Sequence, residues 1–138
     1  MSEIQATVHY GGNDFFIGIS PGGHAQVMDT NRERAAAATP MELLLVALGG
    51  CMASDVVSIL RKKREQVMDY RVVVRGERLE DFPRSFRKIR LHHVVTGNNL
   101  SRPAVEHAIK LSDTKYCSVS ATLRHPTEVS TTFEIVQQ

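Results

Sequence analysis

One segment of the sequence, residues 39–64, restricts the fold more than any other. Thr39 and Glu42 lie three residues apart and can form a capping box, while Pro40 suits the first helical position. Apolar residues then follow at helical spacing: Met41, Leu44, Leu45, Leu48, Met52, Val56 and Ile59. The basic run Arg61–Arg64 ends the segment, as expected beside the negative end of a helix. We predict a long central helix, and because its remaining faces are also apolar, we expect its middle to be enclosed on all sides.

Shorter elements are predicted on both sides of this helix. Ser101 can cap a second helix with Pro103 early in it, and residues 114–123 form a turn or a short third helix. The predicted strands, in chain order, are residues 4–10, 14–20, 24–29, 69–78, 87–96 and 127–136. The order βββ-α-ββ-α-α-β begins with a β-meander and defines an α+β protein. With 138 residues, we expect a single domain over 1–138.

Composition excludes several classes of function. Seventeen Lys and Arg against fifteen Asp and Glu leave a net charge of +2, too small to indicate a nucleic-acid partner. Asp55 and the pair Gly49-Gly50 interrupt the apolar segment, which argues against a membrane span. The N-terminus lacks the features of a signal peptide, so we expect a cytoplasmic location. Neither cysteine lies in a pattern typical of structural zinc, so we expect no metal.

Cys51 is the most informative single residue because it lies deep in the apolar helix, directly after the glycine pair. Two glycines cost a helix roughly 2 kcal/mol relative to alanine, a cost that is tolerated where something approaches the backbone closely. Taken alone, a cysteine in such a position is more often a small core residue. Asp55 follows one turn later on the same face, where it would oppose ionisation of the thiol, so we expect it to meet a cation or a polar network.

The segment TPMELLLVALGGCMASDVVSIL resembles the central helix of the osmotically inducible protein C and organic hydroperoxide resistance (OsmC/Ohr) superfamily. The shared features are a Pro, an acidic residue, an apolar run, two small residues and a cysteine. A second cysteine follows about 65 residues later in the family, where this chain has Cys117 in KYCSVSATL. The resemblance covers nearly the whole chain and points to an OsmC-like branch. It implies the OsmC-like fold and an intertwined homodimer.

The resemblance also implies a thiol-dependent peroxidase that reduces organic hydroperoxides without a cofactor. Cys51 would become a sulfenic acid, and Cys117 would resolve it to a disulfide. If the pair cycles, their Cα atoms must come within about 7 Å. A thiol or lipoyl reductant would regenerate the enzyme. The alternative is a non-enzymatic OsmC-like dimer that binds a small apolar ligand or senses redox state.

A reactive thiol must be a thiolate, so Cys51 requires a nearby cation. The resemblance implies an arginine upstream of the helix, oriented by an acidic residue near the helix start. Arg32 and Arg34 are the candidate arginines, and Glu42 is the candidate acid. In the peroxidases the acid lies ten positions before the cysteine, which is Met41 here. Glu42 is therefore either this orienting group or only part of the helix cap.

Overall fold

A computed structural model describes residues 2–138 of the chain. In this part of the chain there are five strands and three α-helices: β1 (Thr7–Gly12), β2 (Phe15–Ile19), β3 (Ala25–Asp29), α1 (Pro40–Lys62), β4 (Gln66–Arg78), β5 (Phe86–Asn98), α2 (Arg102–Leu111) and α3 (Ser118–Arg124). A π-helical turn, Ser112–Tyr116, links α2 to α3. The predicted α+β class is confirmed, and each predicted helix and all but the last predicted strand have a counterpart.

The chain forms two compact units. One comprises the residues before Leu48 together with Val74–Arg90, and the other comprises Leu48–Val73 and Leu91–Gln138. The predicted organisation as one domain stays a prediction.

The first unit contains the predicted meander, in which β1 pairs with β2 and β2 with β3, both antiparallel. The β1–β2 turn has Asn13 and Asp14 at φ of 52° and 68°, a conformation that Asn and Asp tolerate better than most residues. Residues 30–38, which gave no strand signal, form turns closed by a bridge between Met28 and Ala38.

The second unit has a small apolar core between α1 and α2. Val56, Leu60 and Ala108 are fully buried there. Six partly buried residues surround them: Ile59, Val67, Tyr70, Val95, Val105 and Ile109. Helix α2 begins as predicted, because the Ser101 hydroxyl accepts a hydrogen bond from the Ala104 N–H at 3.3 Å. This packing fixes the half of α1 that carries Cys51.

The predicted enclosure of α1 on all sides is wrong for the single chain. Val46 is 66% exposed, and Ala47, Gly50 and Ser54 are also exposed. One chain supplies elements for only part of the helix surface, so the remaining face meets solvent. A Cβ atom added at Gly50 would meet nothing within 4 Å, so the close approach expected at the glycine pair does not occur at Gly50 within this chain.

The predicted closing strand at residues 127–136 is not formed, and residues 126–138 have no regular secondary structure. A strand needs a partner for its backbone groups, and this segment pairs with none of the five described strands. Its apolar side chains are consequently exposed: Val129, Phe133, Ile135 and Val136. The alternating pattern identified a segment suited to pairing without identifying a partner for it.

Among the described residues, α1 is the one helix long and apolar enough to cross a membrane by length and composition. Core helices of water-soluble proteins satisfy the same criterion. The expectation that the chain has no membrane span stays a prediction.

Candidate active site

The two cysteines and one carboxylate form a cluster in the second unit. The Sγ atoms of Cys51 and Cys117 and a carboxylate oxygen of Asp55 all lie within 4.8 Å of one another. Cys51 and Asp55 project from successive turns of α1, and Cys117 is the N-terminal cap of α3. Both cysteines are free thiols. The fold therefore brings together side chains that are 66 residues apart in the sequence.

Asp55 is held in place by a hydroxyl from the other side of the cluster. The Ser112 Oγ donates a hydrogen bond to Asp55 Oδ2 at 2.8 Å, and Ser112 is completely buried in the π-helical turn. Among the described residues Asp55 makes no ion pair. Of the two expected partners of Asp55, a cation or a polar network, the structure shows neither in full: its partner is one neutral hydroxyl.

The two thiols have different environments. Cys117 is 4% exposed, and burial raises the pKa of its thiol, with a further increase from the neighbouring Cys51. The Ser120 N–H donates to Cys117 Sγ at 3.3 Å and acts in the opposite direction without reversing the shift in the pKa. Cys51 is partly exposed. Cys117 is therefore protonated at neutral pH, and Cys51 is the more accessible thiol.

A cavity of about 390 Å³ lies beside the carboxylate of this cluster. Asp55 forms part of its wall together with Ser58, Ile59, Lys62, Lys63, Leu111 and Tyr116. Its apolar walls come from α1 and α2, and its cations come from the end of α1. Of the three residues of the cluster, Asp55 lines this cavity, and neither cysteine does.

Arg34, one of the two candidate arginines, is bound within the first unit. Its guanidinium pairs with the buried carboxylate of Asp29, with Nε at 2.8 Å from Oδ2 and Nη2 at 2.9 Å from Oδ1. The guanidinium also donates to the carbonyl oxygen of Asn13 and lies over the Phe15 ring. These contacts tie the loop after β3 to the β1–β2 turn, so they give Arg34 a structural function.

Arg32 and Glu42 line a second cavity, of about 580 Å³, in the first unit. Arg32 makes no ion pair among the described residues, so its guanidinium is free to meet an anion. Glu42 Oε1 accepts a hydrogen bond from the Thr39 N–H at 2.8 Å, and the Glu42 N–H donates to Thr39 Oγ1 at 3.2 Å. This confirms the predicted capping box, and these hydrogen bonds lower the pKa of Glu42.

The predicted site residues belong to both units. Cys51 and Cys117 come together in the second unit, while Arg32 and Glu42 share a cavity in the first. Sequence reasoning missed two groups, Ser112 and Asp29, that hold Asp55 and Arg34. No pattern in the sequence identified either one. Ser112 is a single polar residue distant from the helix motif, and Asp29 is a single polar residue at the end of a strand.

The element order, the long helix that carries Cys51 and the second cysteine beside it define an OsmC-like protein. Residues 32–132 match the family described as OsmC-like protein, and the chain belongs to this family. Protein YhfA of Escherichia coli (strain K12) is 44% identical over 133 residues, covering 96% of this chain and 98% of YhfA.

Solved structures share the fold. A hypothetical protein from Aquifex aeolicus VF5 is 32% identical with a TM-score of 0.80, covering 90% of this chain and 89% of that one. An organic hydroperoxide resistance protein OsmC from Legionella pneumophila is 18% identical with a TM-score of 0.67, covering 90% of each chain. At that identity the second likeness concerns the fold alone.

Proposed function

We propose that the chain is a thiol-dependent peroxidase that reduces organic hydroperoxides. The Cys51 thiolate attacks the O–O bond of ROOH, ROH leaves after gaining a proton, and Cys51 becomes a sulfenic acid. The Cys117 thiol then attacks the Cys51 sulfur, and the sulfenic hydroxyl leaves as water with the thiol proton, which forms a disulfide. An external thiol or lipoyl reductant restores both thiols, and no cofactor takes part.

The observation that carries this proposal is the separation of the two sulfur atoms, at most 4.8 Å. A disulfide requires an S–S bond of about 2 Å, so side-chain rotation with a small shift of α3 brings the sulfurs into bonding distance. Cys51 lies in the middle of a 23-residue helix, whereas Cys117 caps a helix of seven residues. The shorter element has less structure to disrupt when it moves.

The difference between the two environments supports the assignment of steps. Cys51 is partly exposed and can meet a peroxide, whereas Cys117 is buried and its pKa is raised. A protonated thiol reacts poorly with peroxide, because the thiolate is the nucleophile. Cys117 is thereby suited to the second step, in which it reacts with a neighbour that is already oxidised.

Arg32 is the cation that we assign to the peroxide step, because Arg34 is committed to Asp29. An arginine remains charged under all physiological conditions and can stabilise both a thiolate and a peroxide oxygen. Glu42 shares the Arg32 cavity and is the candidate orienting group in addition to its function in the cap. The Legionella pneumophila protein that shares this fold is called an organic hydroperoxide resistance protein. Because the catalytic cycle needs reduced thiols, we propose a cytoplasmic location.

The test is a single-turnover assay of the reduced protein with cumene hydroperoxide in the absence of reductant. The wild type should consume one equivalent of peroxide and lose both thiols. Cys51→Ser should consume none, and Cys117→Ser should consume one equivalent and retain a sulfenic acid that dimedone traps. Arg32→Met should slow the first step at least tenfold.

The matched control for Arg32 is Arg87→Met, which removes an exposed arginine paired with Glu77 and should leave the rate unchanged. A reduced wild-type protein that consumes no hydroperoxide would contradict the proposal. That outcome would favour an OsmC-like protein that binds a small apolar ligand or senses redox state.

A further inference from the structure

We propose that Cys51, Asp55 and Cys117 in their reduced state form a binding site for a thiophilic divalent cation such as Zn²⁺, with an open fourth position. Metal binding goes beyond the peroxidase function and does not depend on it, whereas the competition between metal and peroxide that is described below rests on the proposed peroxidase function. It rests on the chemistry of three ligand atoms that the fold brings together in the second unit.

The ligand atoms lie close to the separation that zinc requires, and a small adjustment would bring them to it. Tetrahedral zinc with Zn–S bonds of about 2.3 Å and a Zn–O bond of about 2.0–2.2 Å holds its ligand atoms roughly 3.5–3.8 Å apart. The two sulfurs and the carboxylate oxygen lie within 4.8 Å of one another. Side-chain rotations that move each atom by about 1 Å or less would complete the geometry.

The sequence has no spacing typical of structural zinc, but the placement of two ligands on one helix resembles that in known zinc helices. Cys51 and Asp55 occupy positions i and i+4 of α1, which place two ligands on one helix face, as in the H-E-x-x-H zinc helices. Cys117 supplies the third ligand from a separate element. Three protein ligands with a solvent position are the usual set of an accessible zinc site, whereas a structural zinc has four.

Two of the three ligands already have hydrogen-bond partners of the kind that surround metal sites. The Ser112 hydroxyl binds Asp55 Oδ2, which leaves Oδ1 free to face a cation. The Ser120 N–H donates to Cys117 Sγ, an interaction that favours the thiolate form of a ligand sulfur. Hydrogen bonds of this kind orient metal ligands and raise affinity.

The charge of the cluster favours a cation once the thiols ionise. Two thiolates and one carboxylate carry three negative charges, and Asp55 makes no ion pair among the described residues. Lys62 and Lys63 line the adjacent cavity without pairing with Asp55. A divalent cation would neutralise most of this charge, and the same cavity, of about 390 Å³, reaches the cluster at Asp55.

Metal binding and disulfide formation exclude each other in this site. When the pair loses two electrons to form the disulfide, both thiolate ligands disappear and the cation is released. The electrons reduce ROOH, which takes up two protons to give ROH and water. A bound cation therefore protects Cys51 from peroxide, and the cluster responds to the supply of metal as well as to peroxide.

The experiment is a titration of the reduced, metal-free protein with Zn²⁺ alone, in competition with a chromophoric chelator and without peroxide. We expect one Zn²⁺ per chain, release of thiol protons on binding, and slower alkylation of Cys51 in the zinc-bound protein. Cd²⁺ in place of Zn²⁺ should give the thiolate charge-transfer absorption of two sulfur ligands in the wild type. Each Cys→Ser variant should give the absorption of one sulfur ligand.

Variants identify the ligands. Cys51→Ser, Cys117→Ser and Asp55→Asn should each weaken zinc binding more than tenfold, and Ser112→Ala should weaken it about tenfold through the orientation of Asp55. Asp113→Asn is the matched control for Asp55→Asn, because Asp113 pairs with Arg124 instead. It should leave the affinity unchanged.

Equal affinity in the wild type, Cys51→Ser and Asp55→Asn would overturn the proposal, as would full alkylation of Cys51 in the presence of Zn²⁺. The alkylation readout uses the wild type, so it decides the question even where a variant fails to fold. Because no peroxide is present, failure of this proposal leaves the peroxidase proposal intact, and the reverse also holds.

Discussion

The ion pair between Asp29 and Arg34 shows how one contact changes the interpretation of a candidate residue. Asp29 is 1% exposed, and its carboxylate accepts hydrogen bonds from the Arg34 guanidinium and from the backbone N–H groups of Asn31 and Ala36. These interactions hold the pKa of Asp29 well below its usual range, chiefly through the Arg34 side chain. A guanidinium that satisfies a buried carboxylate is not free to activate a thiol, because its removal would leave that charge without a partner.

We expect Asp29 to make the stability of the protein sensitive to acid. Its pKa in the folded state is lowered, whereas an unfolded aspartate titrates near pH 3.9. Unfolding therefore takes up a proton at acidic pH. The stabilisation from Asp29 is fully present above the pKa of the unfolded state and is lost as the pH falls from there through the pKa of the folded state. Urea unfolding between pH 7 and pH 3 should show a falling midpoint in the wild type.

Asp29→Asn removes this titration, so the urea midpoint of the variant should depend less on pH. The number of protons taken up on unfolding should fall by up to one per chain. Its midpoint at pH 7 should also be lower than that of the wild type. Asp81→Asn, in the exposed segment after β4, is the control and should follow the wild type. A pH dependence in Asp29→Asn that equals the wild type would assign the acid sensitivity to other carboxylates.

Much of the candidate site was predictable at this scale, but the partners of its residues were not. Cys51 and Cys117 were identified through the resemblance of the helix motif and the second cysteine to the OsmC/Ohr superfamily, and the structure places their sulfurs together. The choice between Arg32 and Arg34 required knowledge of Asp29, which lies at the end of a strand and carries no sequence signal of its partner. Pairing depends on tertiary geometry, which a single sequence does not specify.

The central helix shows why patterns predict elements better than their surroundings. The capping box, the start at Pro40 and the end within the basic run were all read from the sequence, and α1 follows them closely. Those signals are local, since they involve residues within one or two turns. The exposed face at Val46 and Gly50 could not be distinguished from the buried face at Val56 and Leu60, because both are apolar.

The two faces of α1 should respond differently to truncation. Leu60 is fully buried in the core of the second unit, so Leu60→Ala should lower the free energy of unfolding by about 2–5 kcal/mol. Val46 is 66% exposed, so Val46→Ala should change it by less than about 0.5 kcal/mol. Urea unfolding over a series of protein concentrations measures both, and the limit for Val46→Ala applies where no second copy covers Val46.

A cost at Val46 that matched the cost at Leu60 would show that Val46 is buried in solution. A cost of Val46→Ala that is smaller at low protein concentration than at high concentration would identify a second copy as the group that covers Val46.

At the scale of the whole molecule, the chain leaves several apolar surfaces uncovered. They lie on the meander at Val8 and Tyr10, on α1 at Val46, and on the segment after Pro126 at Phe133 and Ile135. Large exposed apolar side chains grouped on one element are typical of surfaces that another chain covers. The alternating segment 127–136 has the pattern of a strand and no partner among the described strands, and Gly50 offers space for close approach by another backbone.

We propose that a second copy of the chain covers these surfaces in an intertwined homodimer. An obligate dimer buries roughly 2,000 Å² or more, and the exposed meander, the α1 face and the C-terminal segment together offer apolar side chains for such an interface. Sedimentation at micromolar concentration should give the mass of a dimer, twice 15.4 kDa.

Val46→Lys and Phe133→Lys should each shift the equilibrium toward the monomer, because a lysine in an apolar interface must lose its hydration without gaining a partner. Leu79→Lys changes an exposed leucine outside these surfaces and should remain dimeric. If the segment 127–136 pairs with the partner chain, deletion of these residues should also lower the strand content per chain in circular dichroism. A wild-type protein that sediments as a monomer at micromolar concentration would exclude the dimer, and the apolar surfaces would then have to be covered by a different partner.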